Sequence, residues 1–136
     1  MVGASDMKLI NYKVLKTIFE LNESFEHKKG KIVVQPDFKR DIKKINDTQY
    51  EILLSVKISS EINKGPLPFS AEVVISSLFE MNEWEKEDLN NLAINNATAI
   101  LFPYLRTLLA TVTMNGGIPP FVLPIMNVAK LFMNKN

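Results

Sequence analysis

The residues of this chain that could carry out chemistry are few, and they form no recognisable catalytic set. The sequence contains no cysteine and one histidine, His27, which lies beside two lysines in the predicted turn HKKGK. A zinc site needs several converging nitrogen or sulfur ligands, and a catalytic histidine needs a nucleophile and an orienting group. We therefore interpret His27 as a solvated turn residue, and we expect no metal site, no cofactor and no enzymatic activity.

Two charged clusters are the next candidates for chemistry. The acidic cluster surrounds Trp84 and could supply a carboxylate pair for acid–base catalysis, but a solvated loop before a helix N-terminus explains it more simply. The basic cluster lacks interleaved aromatic residues other than Phe38, and no nucleic-acid-binding fold signature accompanies it. We interpret both clusters as charged surface and expect no nucleic-acid partner. The acidic cluster consists of Glu83, Glu85, Glu87 and Asp88, and the basic cluster of Lys39, Arg40, Lys43 and Lys44.

Composition sets the broad class of protein. The 136 residues carry a formal net charge of +1, with 46% hydrophobic and 23% charged residues, which is ordinary for a globular protein. Five glycines are present, and none belongs to a phosphate-binding motif. The N-terminus contains Asp6 and lacks a small-residue cleavage site, so it does not match a secretory signal. We therefore expect a cytoplasmic protein.

A surplus of apolar residues in the last third of the chain is the strongest functional signal. The stretch AILFPYLRTLLATVTMNGGIPP, residues 99–120, is apolar enough for a membrane span, but Pro103, Arg106 and the glycines at 116 and 117 interrupt it. We therefore expect no membrane insertion. Core packing accounts for most of the apolar residues. The remainder exceeds what a small sheet can cover, which indicates an oligomer interface or a groove for apolar ligands.

The first two-thirds of the chain has the period-two pattern of β-strands. The pattern is clearest at residues 50–59 and 69–76, where apolar and polar side chains alternate. The turn-forming segment at residues 63–68 lies between these runs and predicts an antiparallel hairpin. Four strands are thus predicted. The first is residues 12–26 and is expected to contain a bulge; the second starts irregularly within residues 37–47; the third and fourth are the two strands of the hairpin.

The pattern changes to helical spacing near Leu89. The predicted helix runs to the glycine pair at 116–117, and Pro103 should either kink it or divide it in two. A proline-rich linker at residues 118–124 follows, and a last short helix should begin at about Asn127. We expect residues 1–136 to form a single domain with a flexible N-terminus at residues 1–11.

The C-terminal segment resembles the SecB family of protein-export chaperones. The resemblance covers most of the chain, from about Tyr12 to Phe132, and its most specific part is the helical third. In the helical third, the shared features are Ile100-Leu101-Phe102-Pro103-Tyr104, with Arg106 two residues on, and a glycine turn followed by an apolar residue and Pro119. Asn127 and Leu131-Phe132 complete this part of the motif. In the strand region, the shared segments are SFE at residues 24–26 and FSAEV at residues 69–73.

This resemblance implies an α+β fold, with a four-stranded antiparallel sheet and two C-terminal helices, assembled as a homotetramer that is a dimer of dimers. It implies an ATP-independent holdase that binds unfolded, export-bound polypeptides in apolar grooves and passes them to the SecA motor. The groove residues matched by position are Phe69, Tyr104 and Phe132. Aromatic rings bury large apolar areas without demanding a particular sequence, although each of the three also fits an ordinary core position.

The resemblance also implies an acidic docking patch for SecA, to which Glu26 and Glu72 correspond. Asn22 and Ser70 depart from the family pattern at two neighbouring patch positions. The partner is therefore left open between SecA and the antitoxin of a toxin–antitoxin pair. Two other hypotheses also remain at this point: an oligomeric adaptor that consumes its apolar surface in self-association, and a protein that binds or converts a small ligand.

Overall fold

The fold is described from a computed structural model, which covers residues 7–26, 32–81 and 87–133, with side chains in the long helix described from Leu92 onward. It confirms the predicted α+β class. The four strands come first and the two predicted helices follow, with one additional helical turn between the third and fourth strands. The elements in these ranges are β1 (Met7–Leu21), β2 (Asp37–Lys44), β3 (Gln49–Ile58), α1 (Ser60–Asn63), β4 (Phe69–Met81), α2 (Glu87–Asn115) and α3 (Val128–Leu131).

The four strands form one antiparallel sheet in the order β1-β4-β3-β2. The predicted β3–β4 hairpin is confirmed, with Tyr50 opposite Phe79 and Ile58 opposite Ala71. β1 does not pair with its neighbour in sequence but lies against β4. The two strands with one open edge are therefore β1 and β2, at opposite sides of the sheet.

One face of the sheet is buried because α2 packs across it. Alternate residues of β3 and β4 point to this face, as the period-two pattern predicts, and Leu101, Leu105 and Leu109 of α2 are fully buried against them. The buried face comprises Phe38 and Arg40 of β2, Tyr50, Ile52, Leu54, Val56 and Ile58 of β3, and Phe69, Ala71, Val73, Ile75, Ser77, Phe79 and Met81 of β4.

Strand β1 begins and ends earlier than the sequence predicts. It starts at Met7, so residues 7–11 belong to the strand, while residues 1–6 and the predicted turn at 27–31 lie outside the described residues. The strand ends at Leu21 and a turn follows, in which the backbone N–H of Phe25 donates to the carbonyl of Asn22 at 3.1 Å. The side-chain Nδ2 of Asn22 donates to the carbonyl of Leu67 at 2.9 Å. The expected bulge is present twice, leaving Ile10 and Leu15 without a cross-strand partner in the register.

Helix α2 is continuous from Glu87 to Asn115 with Pro103 inside it, so the alternative of two separate helices is wrong. Tertiary packing of the adjacent residues Leu101 and Phe102 outweighs the local cost of proline. Part of α2, Leu92–Asn115, is long and apolar enough by composition to cross a membrane, but its leucine face packs on the sheet.

The ends of the C-terminal helices follow the sequence signals. The glycine stop of α2 is confirmed, since Gly117 has φ +87°, a conformation that favours glycine. Helix α3 starts directly after Asn127, whose side-chain oxygen accepts from the backbone N–H of Lys130 at 3.1 Å. The residues between these two points, 118–127, form an extended linker, hereafter the linker.

We predict that Gly116→Ala destabilises the protein by about 1–3 kcal/mol, because a Cβ at this position would overlap the ring of Phe19. Urea unfolding measures the change. Gly65→Ala is the matched control, since a Cβ there meets nothing within 4 Å, and its free energy of unfolding should stay close to wild type. Equal stability of the two variants would contradict close packing of β1 on the end of α2.

Candidate functional site

An aromatic cluster lies where the C-terminal end of α2 meets the start of β4. The ring of Phe69 lies 6.0 Å from that of Phe19 on β1 in a stacked arrangement, and 6.0 Å from that of Phe121 in the linker in an edge-on arrangement. Phe69 is 6% exposed. The predicted groove residue Phe69 is thus covered on one side by the sheet edge and on the other by the linker.

The linker is held on α2 by two side chains of that helix. The guanidinium of Arg106 donates to the carbonyl of Leu123 at 3.0 Å and to that of Pro124 at 3.3 Å. The hydroxyl of Thr113 accepts from the backbone N–H of Phe121 at 2.8 Å and donates to helix carbonyls. Together these contacts fix residues 121–124 along the helix.

Tyr104 lies on the side of α2 that faces β1. Its ring centroid is 4.8 Å from that of Tyr12, and its side chain is 40% exposed. The two tyrosines border an open, largely apolar cavity of about 340 Å³, completed by Pro103, Thr107 and Leu108. Of the three predicted groove residues, Tyr104 is the one directly accessible to solvent in the single chain.

Phe132 lies at the opposite edge of the sheet. It is 2% exposed, and the guanidinium of Arg40 lies 4.6 Å from its ring centroid. Arg40 is itself buried and donates to the side-chain oxygens of Asn95 at 2.9 Å and Thr98 at 3.1 Å. The prediction that Arg40 belongs to a charged surface is therefore wrong, because its position in β2 alternates toward the buried face.

The three predicted groove residues do not meet in one pocket of this chain. Tyr104 lies beside Tyr12 of one edge strand, and Phe132 lies on Arg40 of the other. Three strand spacings of about 4.8 Å separate those strands. Phe69 lies near the C-terminal end of α2. Their common role in binding stays a prediction.

Much of the exposed apolar surface lies on β1 and on the outward side of α2, and sequence reasoning missed the β1 part. The available signal was that Val14 and Ile18 spoil the alternation of β1, which leaves apolar residues on both faces of an edge strand. The exposed large apolar residues are Ile10, Val14, Leu15, Ile18 and Leu21 of β1, Leu92, Ile100, Tyr104 and Met114 of α2, Val122 and Ile125 of the linker, and Ile32, Val33, Ile45 and Met133 elsewhere in the described residues.

The predicted docking patch is not uniformly acidic. The carboxylate of Glu72 lies 2.9 Å from the ammonium of Lys16, and Lys57 is its cross-strand neighbour on β3. Glu26 is exposed in the segment that follows β1. Because the charge of Glu72 is balanced locally, an oppositely charged partner would have to compete with Lys16 for it.

The buried ionisable groups have structural surroundings. Burial lowers the pKa of Arg40, while burial and the nearby negative charge of Asp47 raise the pKa of Tyr50. Within the described ranges, no three His, Cys, Asp or Glu side chains converge as metal ligands would. His27 and the residues around Trp84 lie outside the described residues, as do the side chains of Glu87 and Asp88.

Comparison with known proteins gives the class to which this fold belongs. A family model described as preprotein translocase subunit SecB matches residues 16–136. The chain therefore belongs to the SecB family, as the resemblance of its C-terminal segment predicts, and the four-stranded sheet with two C-terminal helices is the fold of a SecB-like chaperone.

Two curated relatives and one solved structure show the range of this similarity. An uncharacterised protein of Methanocaldococcus jannaschii, MJ0357, is 34% identical over 94% of this chain and 83% of its own length. The protein-export protein SecB of Saccharophagus degradans is 28% identical over 88% of this chain and 76% of its own length. The SecB-like chaperone Rv1957 of Mycobacterium tuberculosis, solved with a ChAD peptide from the antitoxin HigA1, superposes with a TM-score of 0.68 at 16% identity, covering 90% of this chain and 93% of that one.

We predict that Arg40→Lys lowers the free energy of unfolding by about 1–3 kcal/mol, because a lysine cannot reproduce the planar fork that serves Asn95, Thr98 and the Phe132 ring. Urea unfolding tests this. Lys43→Arg, an exposed exchange on the same strand, should change stability by less than about 0.5 kcal/mol. A fully stable Arg40→Lys protein would show that the guanidinium contacts do not hold β2 to α2.

Proposed function

We propose that this protein is an ATP-independent holdase that binds non-native polypeptides, hereafter clients, through apolar surface and keeps them from aggregating in the cytoplasm. The observation that carries the proposal is the exposed apolar surface shared by β1 and α2, which includes the Tyr12–Tyr104 cavity. Extended apolar surface on a folded protein marks an interaction site more often than an accident of composition. Membership of the SecB family supports the same conclusion.

The chemistry of this surface fits a client of low sequence specificity. Aromatic rings such as Tyr12 and Tyr104 bury large area whatever the sequence they meet, and the exposed Met114 adapts its shape to different neighbours. Each buried Å² of apolar surface contributes about 25 cal/mol before ordering costs are subtracted. We propose that Phe69, Tyr104 and Phe132 contribute to the client groove, with Tyr104 as the ring that a client reaches first.

Part of the same surface would be covered by other copies of the chain. We propose a homotetramer built as a dimer of dimers, in which the outward side of α2 packs one dimer against another and leaves the remaining apolar surface to clients. One chain places Tyr104 and Phe132 at opposite sheet edges, so a continuous groove across protomers requires such an assembly. The same assembly without any client binding would be the oligomeric adaptor.

We propose protein export as the route that this chaperone serves, with clients passed to SecA at Glu26 and Glu72. The curated SecB relatives support this route by family membership. A second candidate client is the antitoxin of a toxin–antitoxin pair, because the SecB-like chaperone of M. tuberculosis was solved with an antitoxin peptide. The local balance of Glu72 by Lys16 weighs against strong SecA docking.

The first test is the mass of the protein and its action on an unfolded chain. We expect size-exclusion chromatography with light scattering to give about four times the chain mass of 15.4 kDa. Addition of reduced and carboxymethylated lysozyme, which stays unfolded, should shift the complex to higher mass. The protein should also delay aggregation of a denatured enzyme without ATP. A tetramer that binds no unfolded chain would support the adaptor and exclude the holdase.

We predict that Tyr104→Ser weakens binding of the carboxymethylated lysozyme at least tenfold, because it removes an exposed aromatic anchor. Tyr104→Phe keeps the ring and is the matched control, with an affinity within about twofold of wild type. Calorimetry or fluorescence anisotropy measures both affinities, and light scattering follows the assembly. If Tyr104→Ser changes the mass of the oligomer while client affinity is unaltered, the ring serves self-association and not client binding.

We predict that Lys16→Gln strengthens binding to SecA several-fold at low salt, because it frees the carboxylate of Glu72. Glu72→Gln should weaken the same binding, and Lys57→Gln should give a smaller increase than Lys16→Gln. Surface plasmon resonance at two salt concentrations checks the order. Identical SecA affinities for all four proteins would mean that the motor does not dock on this face of the sheet.

A further inference from the structure

The linker is attached to the rest of the fold in an unusual way. Pro119, Pro120 and Pro124 have no backbone N–H to donate, and residues 118–126 form no backbone–backbone hydrogen bond with other described residues. What holds this segment is therefore side-chain anchoring and apolar contact. A segment held by a few side chains can be released without unfolding the helix or the sheet.

The anchors are the two side chains of α2 already described, Arg106 and Thr113. Arg106 uses two donors on consecutive carbonyls, and charge-assisted bonds of this kind are stronger than neutral ones. Its guanidinium also lies 5.7 Å from the ring centroid of Phe102, which keeps it in position on the helix. Thr113 is fully buried and supplies the acceptor for the linker N–H of Phe121. We call these two residues the clamp.

The clamp determines what covers Phe69. At its attachment points, the side chain of Phe121 turns toward the ring of Phe69, and that of Leu123 turns into the core, where it is 1% exposed. Val122 and Ile125 point outward, Ile125 being 93% exposed. Residues 121–125 thus present Phe121 and Leu123 inward and Val122 and Ile125 outward, and the ring of Phe121 lies over that of Phe69.

We infer that the clamp is a positioning device for the client site: it holds Phe121 over Phe69, and a client binds there by displacing Phe121 and taking its place. This inference rests on the proposed function. The chemical class of client segment it selects is one with an aromatic or large aliphatic side chain, because such a group replaces the ring contact that Phe121 gives up. Apparent affinity then equals intrinsic affinity multiplied by the fraction of molecules with the linker displaced.

Loosening the clamp should therefore tighten client binding, the opposite of what a merely structural role would give. Thr113→Val removes the acceptor for Phe121 at nearly constant shape, and Thr113→Ser keeps it, so the two form a matched pair. Arg106→Gln removes the charged donors, and Lys39→Gln, on the outer face of β2, controls for the loss of one positive charge. We expect Thr113→Val and Arg106→Gln each to bind reduced and carboxymethylated lysozyme about tenfold more tightly than wild type, and both controls to bind as wild type does.

The linker can be observed directly, because the chain has no cysteine and a single introduced thiol carries a label without competition. A spin label on Ile125→Cys should become more mobile in the Thr113→Val and Arg106→Gln backgrounds, and also in the wild-type background when the unfolded lysozyme is added. Circular dichroism and urea unfolding verify that each labelled variant keeps its sheet and helix.

The results separate this inference from the proposed function. If wild type binds the unfolded chain and the clamp variants mobilise the label yet bind no more tightly, Phe121 is a wall of the site and the inference is overturned. If the label stays immobile in both clamp variants, the two side chains are not what holds the linker, and the inference is again overturned. If wild type itself binds no unfolded chain, the proposed function fails and the client step fails with it.

Discussion

One helix cannot cover a four-stranded sheet, and most features of this molecule follow from that mismatch. A helix with its side chains is about 10 Å wide, whereas the outer strands here are about 14 Å apart. Helix α2 lies mainly on β4, with lesser contact to β1 and β3, where Leu101, Leu105 and Leu109 close the core. The β2 side receives the short helix α3 and Phe132. On the β1 side the cover by α2 is partial, through contacts such as Tyr104 on Tyr12, so several apolar residues of β1 stay exposed.

Polar contacts fasten the parts of the C-terminal third to one another and to the sheet. Arg40 joins β2 to α2 through Asn95 and Thr98 and supports the ring of Phe132. Arg106 and Thr113 fasten the proline-rich linker to the same helix. Because a buried cation or hydroxyl is costly without partners, the buried Arg40 and Thr113 favour one arrangement of linker and α3. Apolar packing alone would allow several arrangements.

This arrangement separates the buried core from the exposed surface to which the proposed function assigns client binding. The β3–β4 hairpin and the leucine face of α2 are buried on regular elements and gain most of the packing. The Tyr12–Tyr104 cavity, the edge strand β1 and the linker carry most of the exposed apolar side chains. Under the proposed function, clients meet this surface while the core keeps its structure.

The sequence by itself determined the local structure, because local structure depends on residues that are close together in the chain. The features it determined are the alternation at residues 50–59 and 69–76, the glycine stop, the start of the last helix at Asn127 and the family motif around Pro103. Tertiary structure alone decided that β1 pairs with β4, that Arg40 is buried, that α2 runs unbroken through Pro103, and that Phe121 covers Phe69. These depend on which distant surfaces meet, and a local pattern shows that a surface is apolar but not which surface it will touch.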